Sequence, residues 1–355
     1  MKVCHVVGAR PNFMKAAPVF HALKRARASQ KIIHSGQHYD KKMSEIFFQQ
    51  LGIPKPNINL EVGSSSHGKQ TGEVMIRLEP VLEPGKPDWV LVYGDINSTA
   101  AAAMVCVKLG IKVAHVEAGL RSNDRGMPEE HNRIVTDHLA DLLFTPSSDG
   151  DINLKAEGIP AKRIKRVGNV MIDTLVRLLP QAKKLNPLGI KNDCAPFVLA
   201  TLHRPSNVDD PSSLRALIKT LDKIAMKAPV YLPVHPRTRA RLKGREPKRV
   251  HLVDPLGYLE FLALQTRAAL VITDSGGIQE ETTYLRTPCL TVRPNTERPI
   301  TITLGTNELI GTNPKALEKR ALRILSHGGK SGKIPPLWDG HAGERIAKEL
   351  SLRTK

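Results

Sequence analysis

Aromatic residues make up only 4% of this chain of 355 residues. That leaves too few flat side chains for a stacking platform along single-stranded nucleic acid. Cysteine is scarce as well: Cys4, Cys106, Cys194 and Cys289 stand far apart, with no Cys-x-x-Cys pair. Such spacing argues against a disulfide framework or a zinc ribbon and fits a reducing cytoplasm. No apolar run approaches the ~20 residues that span a bilayer, so no membrane insertion is expected. Met1-Lys2-Val3-Cys4-His5-Val6-Val7 has no small-residue cleavage site after it and reads as a first strand, not a signal peptide. Gly8 is followed by Ala9-Arg10-Pro11, so the Gly-x-Gly-x-x-Gly turn of tight NAD or FAD binding is missing. There is no Walker A sequence and no Gly-x-Ser-x-Gly nucleophile elbow. The 13 histidines include no His-Glu-x-x-His, and no metal site is expected. Acidic residues are in deficit, 34 against 53 Lys+Arg, for a formal net charge of +19. Such a surplus favours an anionic partner, whether nucleic acid, acidic lipid or a phosphorylated small molecule. The densest basic run, Arg237, Arg239, Arg241, Lys243, Arg245, Lys248 and Arg249, reads as a solvated surface.

What is present is an ordinary globular composition, 41% hydrophobic and 25% charged. At roughly 150 residues per domain the length suggests two domains. The first half alternates strands (2–8, 31–35, 88–94, 111–116, 141–145) with helices (11–27, 41–51, 71–82, 98–109, 128–140). The second half repeats the grammar, with strands at 197–202, 230–234, 268–273 and 288–292. Helices are expected at 210–228, 256–266, 277–285, 314–325 and 343–350. Continuous apolar strands between helices are the signature of a parallel sheet covered on both faces. Leu185–Gly189, with Lys191-Asn192-Asp193, has linker composition. The expected division is 1–170 and 171–340, with a final helix in 341–355 that could pack back on the first domain.

In open parallel α/β sheets, ligands bind beyond the carboxyl ends of the strands. The residues that follow each strand are therefore the candidates for chemistry. They include Gly8-Ala9-Arg10-Pro11 with Lys15, Gly94-Asp95, and Glu117-Ala118-Gly119-Leu120-Arg121. In the second half they are His203-Arg204, His235-Pro236-Arg237, and Asp274-Ser275-Gly276-Gly277. Ser275-Gly276-Gly277 opens a helix, and free N–H groups at a helix N-terminus suit a phosphate. Arg10, Lys15 and Arg298 could clamp a pyrophosphate. Asp95, Glu117 and Glu129 are candidate general acids or bases. The plainer reading is that each caps a helix or pairs with a neighbour such as Arg121 or Arg133. Two such sheets facing each other would build one cleft between domains.

These motifs, together with His115-Val116-Glu117-Ala118-Gly119-Leu120-Arg121, Pro128-Glu129-Glu130-His131-Asn132-Arg133, Ile278-Gln279-Glu280-Glu281 and Thr296-Glu297-Arg298-Pro299, resemble the non-hydrolysing UDP-N-acetylglucosamine 2-epimerases, in order along nearly the whole chain. The resemblance implies a glycosyltransferase-B-like pair of Rossmann-like domains, the second binding UDP, with the active site between them. It implies reversible conversion of UDP-GlcNAc to UDP-ManNAc for polysaccharide precursors, by anti elimination of UDP, a 2-acetamidoglucal and re-addition. Asp95, Glu117, Glu129 and His203 are then the acid, base and charge-handling set. Arg10, Lys15, Ser275, Gly276 and Gly277 become diphosphate contacts, Phe261 a uracil contact, and Glu281 a ribose contact. Arg298 falls in the nucleotide or sugar region, and His235 joins the substrate-binding set. No redox cofactor, no metal and no specific nucleic acid are implied; a homodimer is. Asp40 and Lys69 stand where regulated members carry glutamine and arginine, so weak or absent activation by UDP-GlcNAc is expected. The alternatives are a related UDP-diacetamido-uronate as substrate, a hydrolysing 2-epimerase, and a glycosyltransferase of the same fold.

Overall fold

The computed structural model describes residues 1–36, 48–190, 196–234, 236–242 and 246–354, except the side chains of Arg10, Pro236 and Arg237. The chain forms two compact units, Met1–Thr174 with Pro336–Lys355, and Leu175–Pro335.

The N-terminal unit is built on a seven-stranded sheet in the order β3-β2-β1-β4-β5-β6-β7. Its strands are β1 (Lys2–Val7), β2 (Ser29–His34), β3 (Ile58–Asn59), β4 (Trp89–Tyr93), β5 (Val113–Val116), β6 (Leu142–Thr145) and β7 (Ile164–Arg166). Every pairing is parallel. Trp-Val-Leu-Val-Tyr of β4 is buried at all five positions. A strand covered on both faces has no solvent side, and so shows no polar alternation. The alanine-rich helix Asn97–Lys108 covers it, packed between helices His67–Leu82 and Pro128–Leu139. Ala100–Ala103 lie fully against neighbours, where small side chains let the elements approach closely.

The last helix, Ala342–Arg353, packs on helix Arg10–Arg25 of the same unit. A Cβ on Gly343 would stand 2.7 Å from the Pro18 carbonyl, so only glycine permits this approach. The Asp173 carboxylate accepts from the amides of Ala342 (3.1 Å) and Gly343 (2.7 Å), satisfying two orphan donors of the helix start. Burial pushes that carboxyl up to about 6, against the pull of these two amides.

The C-terminal unit carries a second parallel sheet in the order β10-β9-β8-β11-β12-β13. These strands are β8 (Val198–Thr201), β9 (Val230–Pro233), β10 (His251–Val253), β11 (Leu270–Thr273), β12 (Cys289–Thr291) and β13 (Asn307–Leu309). Helix Pro211–Ile224 follows its sequence signals closely. Asp210 caps it through the Ser213 amide (2.8 Å), Pro211 occupies the first turn, and Leu214, Leu217, Ile218, Leu221 and Ile224 face the core.

The structure corrects the linker. Asn186 and Ile190 accept hydrogen bonds from Arg267 (2.9 and 2.5 Å), and Ile190 is a core residue, so Leu185–Gly189 is a loop of the second unit. The units change over inside the continuous helix Val170–Ala182. Residues 191–193 and most of the expected 41–51 helix lie outside the described residues, and 48–51 are helical. The basic run pairs at its surface, Arg239 with Asp254 (3.1 Å) and Arg241 with Asp209. Among the described residues no helix is long and apolar enough to cross a membrane.

Candidate active site

In both sheets the strand order reverses at one place, between β1 and β4 in the first and between β8 and β11 in the second. Diverging loops open a crevice at such a point. The candidate residues fall on these loops.

In the N-terminal unit, Asn12 ties the turn after β1 to the end of β4. Its Oδ1 accepts from the amides of Gly8 (3.1 Å) and Ala9 (3.0 Å), and its Nδ2 donates to the Tyr93 carbonyl (2.8 Å). One turn further along helix Arg10–Arg25, Lys15 points inward. Its buried Nζ donates to Glu117 Oε1 at 2.8 Å. Gly94, at φ +64°, leaves room for it: a Cβ there would stand 2.7 Å from Lys15 Nζ. Glu117 is buried and held at φ +73°, a left-handed conformation that costs a non-glycine residue on the order of 1 kcal/mol or more. The Glu117 and Ala118 amides both donate to the Phe144 carbonyl (3.1 and 3.0 Å), which fixes the turn.

Asp95 is half-buried and forms an ion pair with Arg133. The same guanidinium binds Glu130 at 2.6 Å. Glu130 also accepts from the amides of Ser122 (3.0 Å) and Asn123 (2.8 Å). Burial alone would raise its carboxyl, but those amides and Arg133 hold it below the usual range. Glu129, one residue earlier, is half-buried in the first turn of helix Pro128–Leu139. Among the described residues its carboxylate makes no ion pair or hydrogen bond. His115 lies wholly inside β5. Its Nε2 donates to the Gly94 carbonyl (2.8 Å), and its Nδ1 meets Asp137 Oδ1 at 2.6 Å. Asp137 Oδ2 accepts from the Gly119 amide (3.1 Å) and from Arg121 (2.8 Å). Burial would raise the Asp137 carboxyl, but His115 and Arg121 bring it below the usual range.

In the C-terminal unit, the organiser is Asp274 at the end of β11. It accepts from the amides of His203 (3.0 Å) and Arg204 (3.0 Å) and from Asn207 Nδ2 (3.0 Å), and it meets His203 Nδ1 at 2.8 Å. Asp274 is fully buried, whereas the His203 ring is 59% exposed and therefore available to a ligand. Burial works against the Asp274 charge, but His203 and Asn207 outweigh it and lower the carboxyl. Helix Gly276–Leu285 starts at Ser275, whose side chain makes no capping bond to it. Arg298 lies across this start. A Cβ on Gly276 would collide with its guanidinium and stand 2.8 Å from Glu297 Oε1. Arg298 binds Glu280 at 3.0 Å and also Glu297, and Glu297 binds Arg293 at 2.8 Å. All four side chains are buried. Burial opposes the Glu297 charge, but Arg298 and Arg293 together hold that carboxyl well below the usual range. Phe261 is half-buried against a small core of Phe197, Leu199 and Leu264. Glu281 is buried, accepts from Gln265 Nε2 at 2.6 Å, and is pushed by burial up to about 7.

That value carries a pH dependence of stability. The folded state holds the Glu281 proton more tightly than the unfolded chain, so the contribution is complete below about 4.5 and is lost as pH rises through 7. Glu281→Gln keeps an acceptor for Gln265 and removes the charge. Its stability relative to the parent is expected to rise between pH 5 and pH 8 by up to about 3 kcal/mol, read from urea denaturation at both values. Parallel curves at the two pH values would contradict this.

The structure thus places Lys15, Asp95, Glu117 and Glu129 around one switch point, and His203, Ser275, Gly276, Gly277 and Arg298 around the other. Lys15 sits on Glu117 here, and Asp95 takes Arg133, the neighbour foreseen for it. The Arg10 side chain, His235 and Asp40 fall outside the described residues, and Lys69 is exposed on helix His67–Leu82. Sequence reading gave no role to the supporting set Glu130, His115, Asp137, Glu280 and Glu297, and placed Asp274 only as a strand-end candidate. Several stand in the quoted motifs, but only the fold shows which loops they join.

The family model described as UDP-N-acetylglucosamine 2-epimerase matches residues 21–351. The UDP-N-acetylglucosamine 2-epimerase of Methanocaldococcus jannaschii is 42% identical over 367 residues, covering 99% of each chain. The UDP-2,3-diacetamido-2,3-dideoxy-D-glucuronate 2-epimerase of Pseudomonas aeruginosa is 45% identical over 360 residues, again covering 99% of both. Among solved structures, that of the M. jannaschii enzyme in complex with UDP-GlcNAc and UDP matches with a TM-score of 0.91 at 41% identity, over 99% of this chain and 100% of that one.

Proposed function

The chain belongs to the UDP-N-acetylglucosamine 2-epimerase family, and from that premise we propose that it interconverts UDP-GlcNAc and UDP-ManNAc by elimination and re-addition of UDP. Inverting C2 means taking a proton from one face of the sugar and returning one to the other. C2–H is a weak acid, so its removal needs the C1–O bond to break in concert. One carboxylate takes the C2 proton, the electron pair forms C1=C2, and the C1–O pair leaves with UDP. The glycal then reorients, a second carboxylic acid delivers a proton to the opposite face of C2, and a phosphate oxygen re-forms the bond to C1. Hydrogen moves only as a proton, so the cycle has no net oxidation.

The observation that carries this reading is a pair of carboxylates at adjacent strand ends. Asp95 follows β4 and Glu117 follows β5, each beside a buried cation, with Glu129 on the next helix. We assign proton transfer at C2 to this set. His203 and Arg298, with the amides at the start of helix Gly276–Leu285, would hold the expelled diphosphate. Fixed donors aimed at developing charge are commonly the largest contribution to such a barrier. Glu281 would take the ribose and Phe261 the uracil, with Arg10, Lys15 and His235 completing the substrate contacts. A homodimer in the cytoplasm belongs to the same proposal.

A second reading is favoured by the 45% identity to the P. aeruginosa enzyme. It makes the substrate a UDP-diacetamido-uronate, with the same chemistry at C2. The two readings separate by kcat/KM on the two sugar nucleotides. The first expects UDP-GlcNAc to be preferred by at least about tenfold; a preference for the uronate by the same factor would overturn it in favour of the second.

A further inference from the structure

Histidine is an expensive residue in the middle of a buried parallel strand. The neighbours of His115 along β5 are Ala114 and Val116, and all four positions of the strand are buried. A polar ring there costs stability unless both nitrogens are satisfied. Here they are satisfied by two different strand-end loops. Nε2 holds the carbonyl of Gly94, the residue before Asp95. Nδ1 holds Asp137, whose other oxygen binds the amide of Gly119, two residues after Glu117. The path from Asp95 to Glu117 therefore runs Gly94 carbonyl, His115, Asp137, Gly119 amide. Arg121 braces the far end, binding Asp137 at 2.8 Å and Glu157 through two bonds of 2.7 and 2.8 Å.

The strain in the loop gives this path something to hold. Glu117 is at φ +73°, between the Phe144 carbonyl on its amide side and the Asp137-bound Gly119 on the other. Such a conformation persists only where its surroundings over-determine it. Remove one anchor and the turn can relax toward extended backbone, which swings the carboxylate.

We propose that His115 and Asp137 are a buried positioning pair that sets the separation and orientation of the Asp95 and Glu117 carboxylates. Neither touches substrate. The inference rests on the reading that those two carboxylates serve proton transfer at C2. Misplacement of a reacting group by about 1 Å costs on the order of 100-fold in rate, and that is the effect expected.

The test measures exchange of the C2 hydrogen in deuterated water for the full-length parent, His115→Gln and His115→Phe. UDP affinity is measured by calorimetry and stability by thermal melting. Gln can serve one of the two loops and Phe neither. The expected kcat falls about tenfold for Gln and about 100-fold for Phe, while KM and UDP affinity change less than about threefold. The loss thus falls on kcat and not on KM, the split that a positioning role produces. A purely structural role predicts lower stability with kcat unmoved, and that result in folded His115→Phe would overturn the proposal. So would a loss of UDP affinity equal to the loss of rate. Should His115→Phe not fold, His115→Gln and Asp137→Asn carry the same comparison. If the parent itself exchanges no C2 hydrogen on either sugar nucleotide, the functional reading fails and the inference falls with it; slow variants of an active parent are a separate result.

Discussion

Glu117→Gln is expected to slow C2 proton exchange by about 10³-fold while UDP affinity stays within about twofold. Glutamine matches the carboxylate in size and can occupy the same left-handed backbone position, so the loop geometry survives. What disappears is the proton acceptor. Affinity for UDP is spared because most contacts assigned to the nucleotide lie in the other compact unit, and the substitution leaves Arg10 and Lys15, the two in this unit, in place. A second consequence follows from Lys15. Its buried ammonium sits 2.8 Å from Glu117, and an amide in place of the carboxylate leaves that charge uncompensated. Breaking one side of a buried ion pair costs about 3–5 kcal/mol. The variant should therefore melt earlier than the parent, and exchange must be measured well below its transition. NMR of the C2 hydrogen, with calorimetry for UDP, checks both halves. Exchange within about tenfold of the parent would remove Glu117 from the proton-transfer set.

The second large effect is expected at Arg298→Met. The guanidinium neutralises Glu280 and Glu297 inside the C-terminal unit, where all the side chains concerned are buried. Methionine fills the volume but removes the cation that both carboxylates bind. A cost of about 3–5 kcal/mol to folding is expected, together with loss of UDP binding, since Arg298 also lies across the start of helix Gly276–Leu285. Adding Glu297→Gln to Arg298→Met should recover much of the stability and none of the affinity. That split separates the structural debt from the ligand contact, and urea denaturation with UDP calorimetry on the single and double variants measures it. Recovery of affinity along with stability would show that Arg298 acts on the fold alone.

Much of the fold was legible because its strands are unusually plain. Trp89–Tyr93 is a continuous apolar run, Val113–Val116 and Leu270–Thr273 are apolar but for His115 and Thr273, and each forms a buried parallel strand between helices. Edge elements were not legible. Ile58–Asn59, Ile164–Arg166 and Asn307–Leu309 are two or three residues long, too short for any periodicity to register. The short helices Pro205–Val208 and Pro299–Thr303 each begin with proline at the first turn, which sequence alone does not distinguish from a loop. The linker was misjudged for a different reason. Leu185–Gly189 has the composition of a linker but is fastened by Arg267, while the changeover, expected at 170/171, falls between Thr174 and Leu175 inside the continuous helix Val170–Ala182. Of the site, the strand-end carboxylates were visible from position. Arg133 was foreseen as a neighbour for these carboxylates, but the other partners were not visible: that Glu117 takes Lys15 and that Asp274 gathers donors from the segment after β8 depends on contacts across 71 to 102 residues of sequence.

The central claim is that hydrogen at C2 leaves and returns as a proton. Proton NMR of the purified chain with UDP-GlcNAc in deuterated water tests it directly. The account predicts UDP-ManNAc carrying deuterium at C2, approach to an equilibrium mixture, and no steady release of free sugar. UDP-ManNAc that keeps its C2 protium, or free N-acetylmannosamine as the main product, would contradict it.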